Sequence, residues 1–305
     1  MRLGRPLFLL GGFVFYGLGA AIAAYGGGPG AGAFHWTRFA WGQVAITAMH
    51  LMTHYCNDYF DFAADHANTT PTRWSGGSRV LIAGELARGV ALSAAVVLAV
   101  AACLATAQAV WGIGAAPAGV VPMLALTMVL SWEYSAPPLR LHSTGWGELN
   151  VAVVVAGLTP LVGFRLQSEQ WALLPFLAIV PLACLQFAML LAIEFPDAAG
   201  DAATGKRTLV VRHGAEWAAM LYRRVVIAAY LSLPLLVAAG LPARVGGAAL
   251  LTSPLAAWQV ARMRRGAFRD PARWESLAFW SVALLITTAV AELAAFVIAT
   301  HLRAR

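Results

Sequence analysis

Four apolar stretches, residues 90–111, 149–164, 173–193 and 279–299, each reach or approach the roughly 20 residues that a helix needs to cross about 30 Å of hydrocarbon. Lipid offers no water to satisfy stray backbone N–H and C=O groups, so stretches of this length cross as helices. Several in one chain make a polytopic membrane bundle, an all-α fold. The rest of the 305-residue chain agrees, because only 11% of it is charged, against about 25% in a typical soluble domain. The opening segment, residues 2–25, is basic and then apolar like a secretory signal. It lacks a small-residue cleavage site, however, and is expected to be the first membrane helix. Cys56, Cys103 and Cys184 are widely spaced in apolar surroundings. They form no paired zinc or redox motif and are expected to be packing residues.

Apolar runs and breakers together predict nine transmembrane helices in one domain, residues 1–305. They fall near residues 5–25, 38–62, 89–111, 115–133, 147–166, 171–195, 217–240, 243–263 and 274–301. With the N-terminus on one side, the segments 59–88, 133–146, 196–216 and 262–273 share that side. All Lys and Arg except Arg38, Arg165, Arg244, Arg303 and Arg305 then fall there too. Basic loops face the cytoplasm, so this side, with the N-terminus, is expected to be the cytoplasmic face of an inner (plasma) membrane. The net charge of +7 thereby has a topological reason and implies no nucleic-acid partner. Trp36, Trp111, Trp171 and Trp274 fall near helix ends, as interfacial aromatics do. Far-side connections such as 112–114 and 240–242 are short, whereas two cytoplasmic ones run to about 20 residues or more, the length of functional lids. Those two loops follow helices two and six, and each begins with acids. This suggests a duplicated four-helix unit, although direct similarity between the halves is weak.

The first acidic run, from Asn57 to Asp65, carries Asp58, Asp61 and Asp65 at spacings of three and four, which on a helix share one face with Asn57 beside them. The second carries Glu194, Asp197 and Asp201 in the same way, with Pro196 placed to interrupt helix six. Single acids at a membrane edge merely solvate helix ends. Two clusters are different, because like charges on adjacent turns repel and acids there are costly unless something positive holds them. Magnesium suits the task, since it takes one or two carboxylates, several waters and substrate phosphate oxygens. Asp58, Asp61, Asp65, Asp197 and Asp201 are the expected ligands. Five carboxylates and a diphosphate outweigh two magnesium ions, so further cations are needed. Arg73 and Arg79 follow the first cluster, and Lys206 and Arg207 follow the second. Gly76 and Gly77 permit a turn whose amides face phosphate oxygens. The segment from Tyr134 to Leu141 lies on the same side. Pro137 and Pro138 there read as a stiff helix exit, Tyr134 as a contact near the reacting carbon, and Arg140 as a diphosphate contact.

The run from Asn57 to Asp65 resembles the NDxxDxxxD motif of the UbiA superfamily of intramembrane prenyltransferases, and the Asp197–Asp201 spacing resembles its DxxxD motif. The resemblance continues through the segment at Tyr134 and through Gly205 to Gly214, GKRTLVVRHG. NDYFDF, SGGSRVL and GKRTLVVR are most similar to the branch of 1,4-dihydroxy-2-naphthoate prenyltransferases of menaquinone synthesis. The Arg-rich run of the 4-hydroxybenzoate branch is absent. Glu194 departs from the Asn that related enzymes often carry. The resemblance implies magnesium-dependent transfer of a prenyl chain from an isoprenoid diphosphate to a small aromatic acceptor. Asp58, Asp61, Asp197, Asp201 and Tyr134 would act at the reacting bond, while Asn57, Arg73, Arg79, Arg140, Lys206 and Arg207 would bind substrate. A glycerol-phosphate acceptor would use the same diphosphate half-site. Acceptor identity, prenyl length and oligomeric state are not fixed by these motifs.

Two other classes fit less well. CDP-alcohol phosphotransferases hold their acids in one compact glycine-containing motif, and transporters place carboxylates near the bilayer midplane. His54 and His50, one and two turns before Asp58, read either as packed helix histidines or, for His54, as a residue behind the metal or at the acceptor site. His213 reads as a loop residue. Arg262, Arg264, Arg265, Arg269 and Arg273 orient the chain and are suited to anionic headgroups.

Overall fold

The computed structural model describes residues 2–27, 34–112 and 119–303. The expected start of a helix at 115, the 112–114 connection beyond residue 112, and Arg305 lie outside the described residues. The chain is helical in the order α1 (Pro6–Gly26), α2 (Trp36–Phe60), α3 (Phe62–Ala67), α4 (Arg88–Val110), α5 (Val120–Glu133), α6 (Gly147–Val151), α7 (Thr159–Arg165), α8 (Leu174–Glu194), α9 (Ala198–Ala203), α10 (Leu209–His213), α11 (Ala215–Ala238), α12 (Ala243–Leu250), α13 (Ser253–Arg264) and α14 (Pro271–Arg303). A π-helical segment, Ala152–Leu158, joins α6 to α7 into one rod. Among the described residues six helical rods are long and apolar enough to cross a membrane: Pro6–Gly26, Arg88–Val110, Gly147–Arg165, Leu174–Glu194, Ala215–Ala238 and Pro271–Arg303. The other three expected spans differ for visible reasons. α2 is long but rich in polar residues, α5 has 14 residues, and the eighth is split into α12 and α13 at Leu251 and Thr252.

Close approach is bought by small residues. A Cβ on Gly19 would overlap the Pro160 carbonyl, and one on Gly163 would overlap that of Tyr16, so α1 and α7 cross nearly backbone to backbone. Leu104, Leu231, Leu235 and Leu251 are exposed around the outside, where a soluble protein would not tolerate so much apolar surface.

Contacts sort the loops into two ends. At one, Arg5 reaches Asp58, His142 reaches Asp61, Lys206 reaches Asp201, and Arg269 reaches Glu216. At the other, His35 and Gln167 exchange hydrogen bonds, and Arg303 covers Tyr25. The N-terminus and the loops expected on one side therefore do gather at one end.

Candidate active site

α2 ends at Phe60, Asp61 leaves helical geometry with φ −87° and ψ 2°, and α3 restarts at Phe62. The three aspartates thus lie across a break and not on one continuous helix face. Their equivalents lie across a second break, where α8 ends at Glu194, Pro196 interrupts, and Asp197 precedes α9. α3 and α9 then pack together. Gly200 makes this possible, since a Cβ there would sit 3.0 Å from the Ala64 carbonyl and from the Asn68 backbone.

The packing joins clusters that are more than a hundred residues apart in sequence. Lys206 Nζ lies 3.0 Å from Asp61 Oδ2 and 2.9 Å from Asp201 Oδ1. Asn68 Nδ2 donates to Asp197 Oδ1 at 2.7 Å. Asn57 Nδ2 donates to Asp61 Oδ2 at 2.9 Å and to Ser135 Oγ at 3.3 Å. The His142 ring lies 2.6 Å from both Asp61 Oδ1 and the Tyr134 carbonyl. Asp58, buried at 3% exposure, receives Arg5 Nη2 at 2.6 Å and the Ser78 amide at 3.2 Å, and the Ser78 hydroxyl donates to it as well. Arg79 takes the left-handed backbone with φ 63° and donates to the Asp65 carbonyl. A left-handed non-glycine costs of order 1–3 kcal/mol, which that contact helps to offset.

Charge is compensated unevenly. Burial pushes the Asp61 carboxyl up, but Lys206 and His142 outweigh it and hold Asp61 below the usual carboxylate range. Lys206 is lowered by burial yet held above its ordinary value by Asp61 and Asp201. Asp65 is different: burial, then the charge of Asp61, raise it to about 8. Burial, then Asp201, raise Asp197 to about 7. Neither Asp65 nor Asp197 is in an ion pair among the described residues, so both would gain from a cation. No three Asp, Glu, His or Cys side chains among the described residues converge into a cage for a metal. Magnesium shared with a diphosphate does not need one, and the donor set of partly uncompensated aspartates fits it.

Directly beneath, a cavity of about 170 Å³ runs between α1, α2, α5, the π-helical segment, α8 and α14. Its walls include Phe8, Met49, Trp74, Tyr134, Val154, Met189 and Leu285. Trp74 packs edge-on against Phe8 with ring centroids 5.6 Å apart, so the first long loop roofs the cavity.

The family model of the UbiA prenyltransferase family matches residues 9–297. The chain belongs to this family. No curated protein gives a significant match. Among solved structures, a UbiA homologue from Archaeoglobus fulgidus bound to DMAPP and Mg2+ is 15% identical, with 96% of this chain and 98% of that chain covered and a TM-score of 0.63. A UbiA homologue from Aeropyrum pernix K1 without ligand is 14% identical over 91% of this chain and 95% of that chain, with a TM-score of 0.67. A digeranylgeranylglyceryl phosphate synthase is 13% identical over 96% and 92%, with a TM-score of 0.57. These likenesses are of fold. Family membership makes the chain a prenyltransferase, held in the membrane as a multi-pass protein.

Of the residues expected at the site, the structure gathers Asn57, Asp58, Asp61, Asp65, Asp197, Asp201 and Lys206, and it puts Tyr134 on the cavity wall. Arg79 touches the cluster only through its guanidinium, which donates to the Asp65 main-chain carbonyl. Arg73, Arg140 and Arg207 are exposed and make no ion pair with the acids among the described residues. Arg140 sits in left-handed backbone at φ 45°, and Arg207 is held by its backbone N–H on the Ser143 carbonyl at 2.9 Å. Arg5, Asn68, Ser78 and His142 were not anticipated as site residues. Only Arg5 carried a usable signal, a basic residue at the entry of the first helix on the side of the acids.

Proposed function

We propose that this enzyme transfers a prenyl chain from an isoprenoid diphosphate, with magnesium, to a small hydroxylated aromatic acceptor, with 1,4-dihydroxy-2-naphthoate of menaquinone synthesis favoured. The observation that carries the reading is the union of two distant acidic clusters, through Lys206 and Asn68, at the mouth of an apolar cavity. The Asp58, Asp61, Asp65, Asp197 and Asp201 carboxylates would hold magnesium, which when bound neutralises the diphosphate leaving group. Lys206 and Arg5 lie beside these acids and would take up phosphate oxygens, with Asn57 as an amide donor. Arg79 braces the loop over the mouth. The apolar walls keep water from the allylic cation, and the Tyr134 ring offers it a π face. All nine expected rods would cross the membrane, with the acids at the cytoplasmic face of the plasma membrane.

The acceptor reading has its own support. Arg5 is the one Lys or Arg among the described residues lining the cavity, and it is committed to Asp58 and, on this reading, to the diphosphate. A doubly charged glycerol-phosphate acceptor would meet no free cation there. Likeness to digeranylgeranylglyceryl phosphate synthase keeps that acceptor as the second reading. The test is a transfer assay in detergent or membranes with magnesium and a radiolabelled prenyl diphosphate. The acceptors are 1,4-dihydroxy-2-naphthoate, 4-hydroxybenzoate and glycerol phosphate, with Asp58→Asn and Asp197→Asn as controls. A lipid-soluble naphthoate product, absent without magnesium and in both variants, is expected. A product with glycerol phosphate alone would overturn the aromatic assignment.

A further inference from the structure

Prenyl transfer leaves a proton to be placed. The allylic C1–O bond breaks with its electron pair leaving on the diphosphate. The acceptor atom then bonds to C1, and the hydrogen on that atom must depart as H+. This holds whether the atom is an aromatic carbon or a hydroxyl oxygen, so the cavity needs a group with a free lone pair at the acceptor.

Most polar side chains around the cavity are already committed. Thr53 and Thr127 donate to the Met49 and Met123 carbonyls of their own helices at 2.9 and 2.8 Å. Asn150 Nδ2 donates to the Leu130 carbonyl at 3.3 Å, and its Oδ1, which has no partner, is an amide oxygen too weakly basic to take up a proton. Arg5 is a cation bound to Asp58, and His142, outside the lining, is spanned between Asp61 and the Tyr134 carbonyl. Two basic groups are left. His50 and His54 lie on the inward face of α2 with Ile46, Met49, Thr53 and Asn57, all lining the cavity at helical spacing. Their rings stack with centroids 4.9 Å apart and planes at 26°. His54 Nε2 is buried with no hydrogen-bond partner, and no hydrogen bond among the described residues reaches His50. Gly12 keeps the space at His50 open, since a Cβ there would lie 3.0 Å from His50 Nδ1.

Their depth suits the reaction. At about 1.5 Å per residue, His54 lies about 6 Å and His50 about 12 Å below Asp58 along the helix. On the prenyl-transfer reading the magnesium-bound diphosphate sits at the level of Asp58, so C1 and then the acceptor lie below it, at the level of these rings. The prenyl tail is hydrocarbon and uses no hydrogen-bonding group, which leaves the imidazoles to the acceptor.

Resting on the prenyl-transfer reading of this site, we propose that His54 and His50 are catalytic residues that orient a hydroxyl-bearing acceptor and take up the proton it loses. The imidazole that gains the proton returns it to the departing diphosphate or to water after turnover, so that prenyl diphosphate and acceptor give prenylated acceptor and protonated diphosphate.

The test compares wild type with His50→Ala, His54→Ala, the double alanine variant and the two glutamine variants. Each is assayed with whichever acceptor of the panel the wild type prenylates, so failure of the aromatic assignment is read separately. Magnesium-dependent binding of geranyl diphosphate, followed by thermal shift, reports the fold and the donor site. The expected result is unchanged donor binding, with transfer by the double variant down about 10²- to 10⁴-fold, the range of general acid–base catalysis, and partly restored by added imidazole. If the double variant loses donor binding, the glutamine variants carry the test and are expected to bind donor normally but transfer poorly. Transfer within about threefold of wild type would overturn the proposal, because a lost base costs at least about 10²-fold. So would a loss that glutamine repairs and imidazole does not.

Discussion

The two acidic clusters occupy equivalent places, each across a helix break at the end of a long helix, yet they are held very differently. The first is braced: Asp58 by Arg5 and Ser78, Asp61 by Lys206, His142 and Asn57. The second relies on Lys206 for Asp201 and on the neutral Asn68 for Asp197. Asp65, across the break in the first cluster, shares the fate of Asp197, and both carboxyls are raised, to about 8 and about 7, by burial and by neighbouring acids. The contrast teaches that one half of the site is pre-assembled by the protein's own cations, while the other is left short of positive charge. A divalent cation gains most where compensation is weakest.

The largest expected effect is on the shared brace. Lys206→Met leaves Asp61 and Asp201 buried and facing each other, and removing one partner of a buried ion pair costs about 3–5 kcal/mol. Thermal denaturation should show a fall in Tm that magnesium partly reverses; an unchanged Tm would mean the clusters do not depend on Lys206. Next, the two halves should respond with opposite sign. Asp58→Asn strands the Arg5 charge and should lower resting stability by about 1.5–3 kcal/mol, the worth of a charged hydrogen bond. Asp197→Asn removes a repelling charge and should leave resting stability unchanged or raised, while weakening the stabilisation by magnesium. Equal behaviour of the two variants would break the comparison.

Smaller effects sharpen it. Gly200→Ala forces a Cβ to 3.0 Å from the Ala64 carbonyl, and the mild overpacking should cost about 1 kcal/mol and weaken magnesium binding by parting α3 from α9. Retained binding affinity, measured by calorimetry, would show that the clusters need not be so close. The smallest effect is on pH dependence. Asp65 and Asp197 carry protons below about 8 and 7, and magnesium binds their ionised forms. Magnesium affinity should therefore rise from pH 6 to about 8 with release of protons, then level off. The slope should be shallower in Asp197→Asn.

Much of this architecture can be read before folding is known. The apolar runs give the rods, and the aspartate spacing gives both clusters. Lys206 is found because it follows the second cluster by five residues and its chain folds straight back. What escapes is whatever depends on chain crossing. Arg5 and Asp58 are separated by 53 positions, His142 and Asp61 by 81, and Asn68 and Asp197 by 129. No local pattern marks such pairs. Arg73, Arg140 and Arg207, adjacent to motifs in sequence, are exposed and make no ion pair with the acids among the described residues. The helix breaks at Asp61 and Pro196 were legible only in part: proline announces the second, but nothing in the run through Asp61 announces the first.

The most direct measurement is a structure of the enzyme with Mn2+ and geranyl diphosphate, with the metal located by its anomalous scattering. The account predicts metal between the two clusters, ligated by aspartates from both, including Asp197, with the diphosphate completing the shell and the prenyl chain pointing into the cavity beneath. Metal held by one cluster alone, or bound away from Asp65 and Asp197, would contradict it.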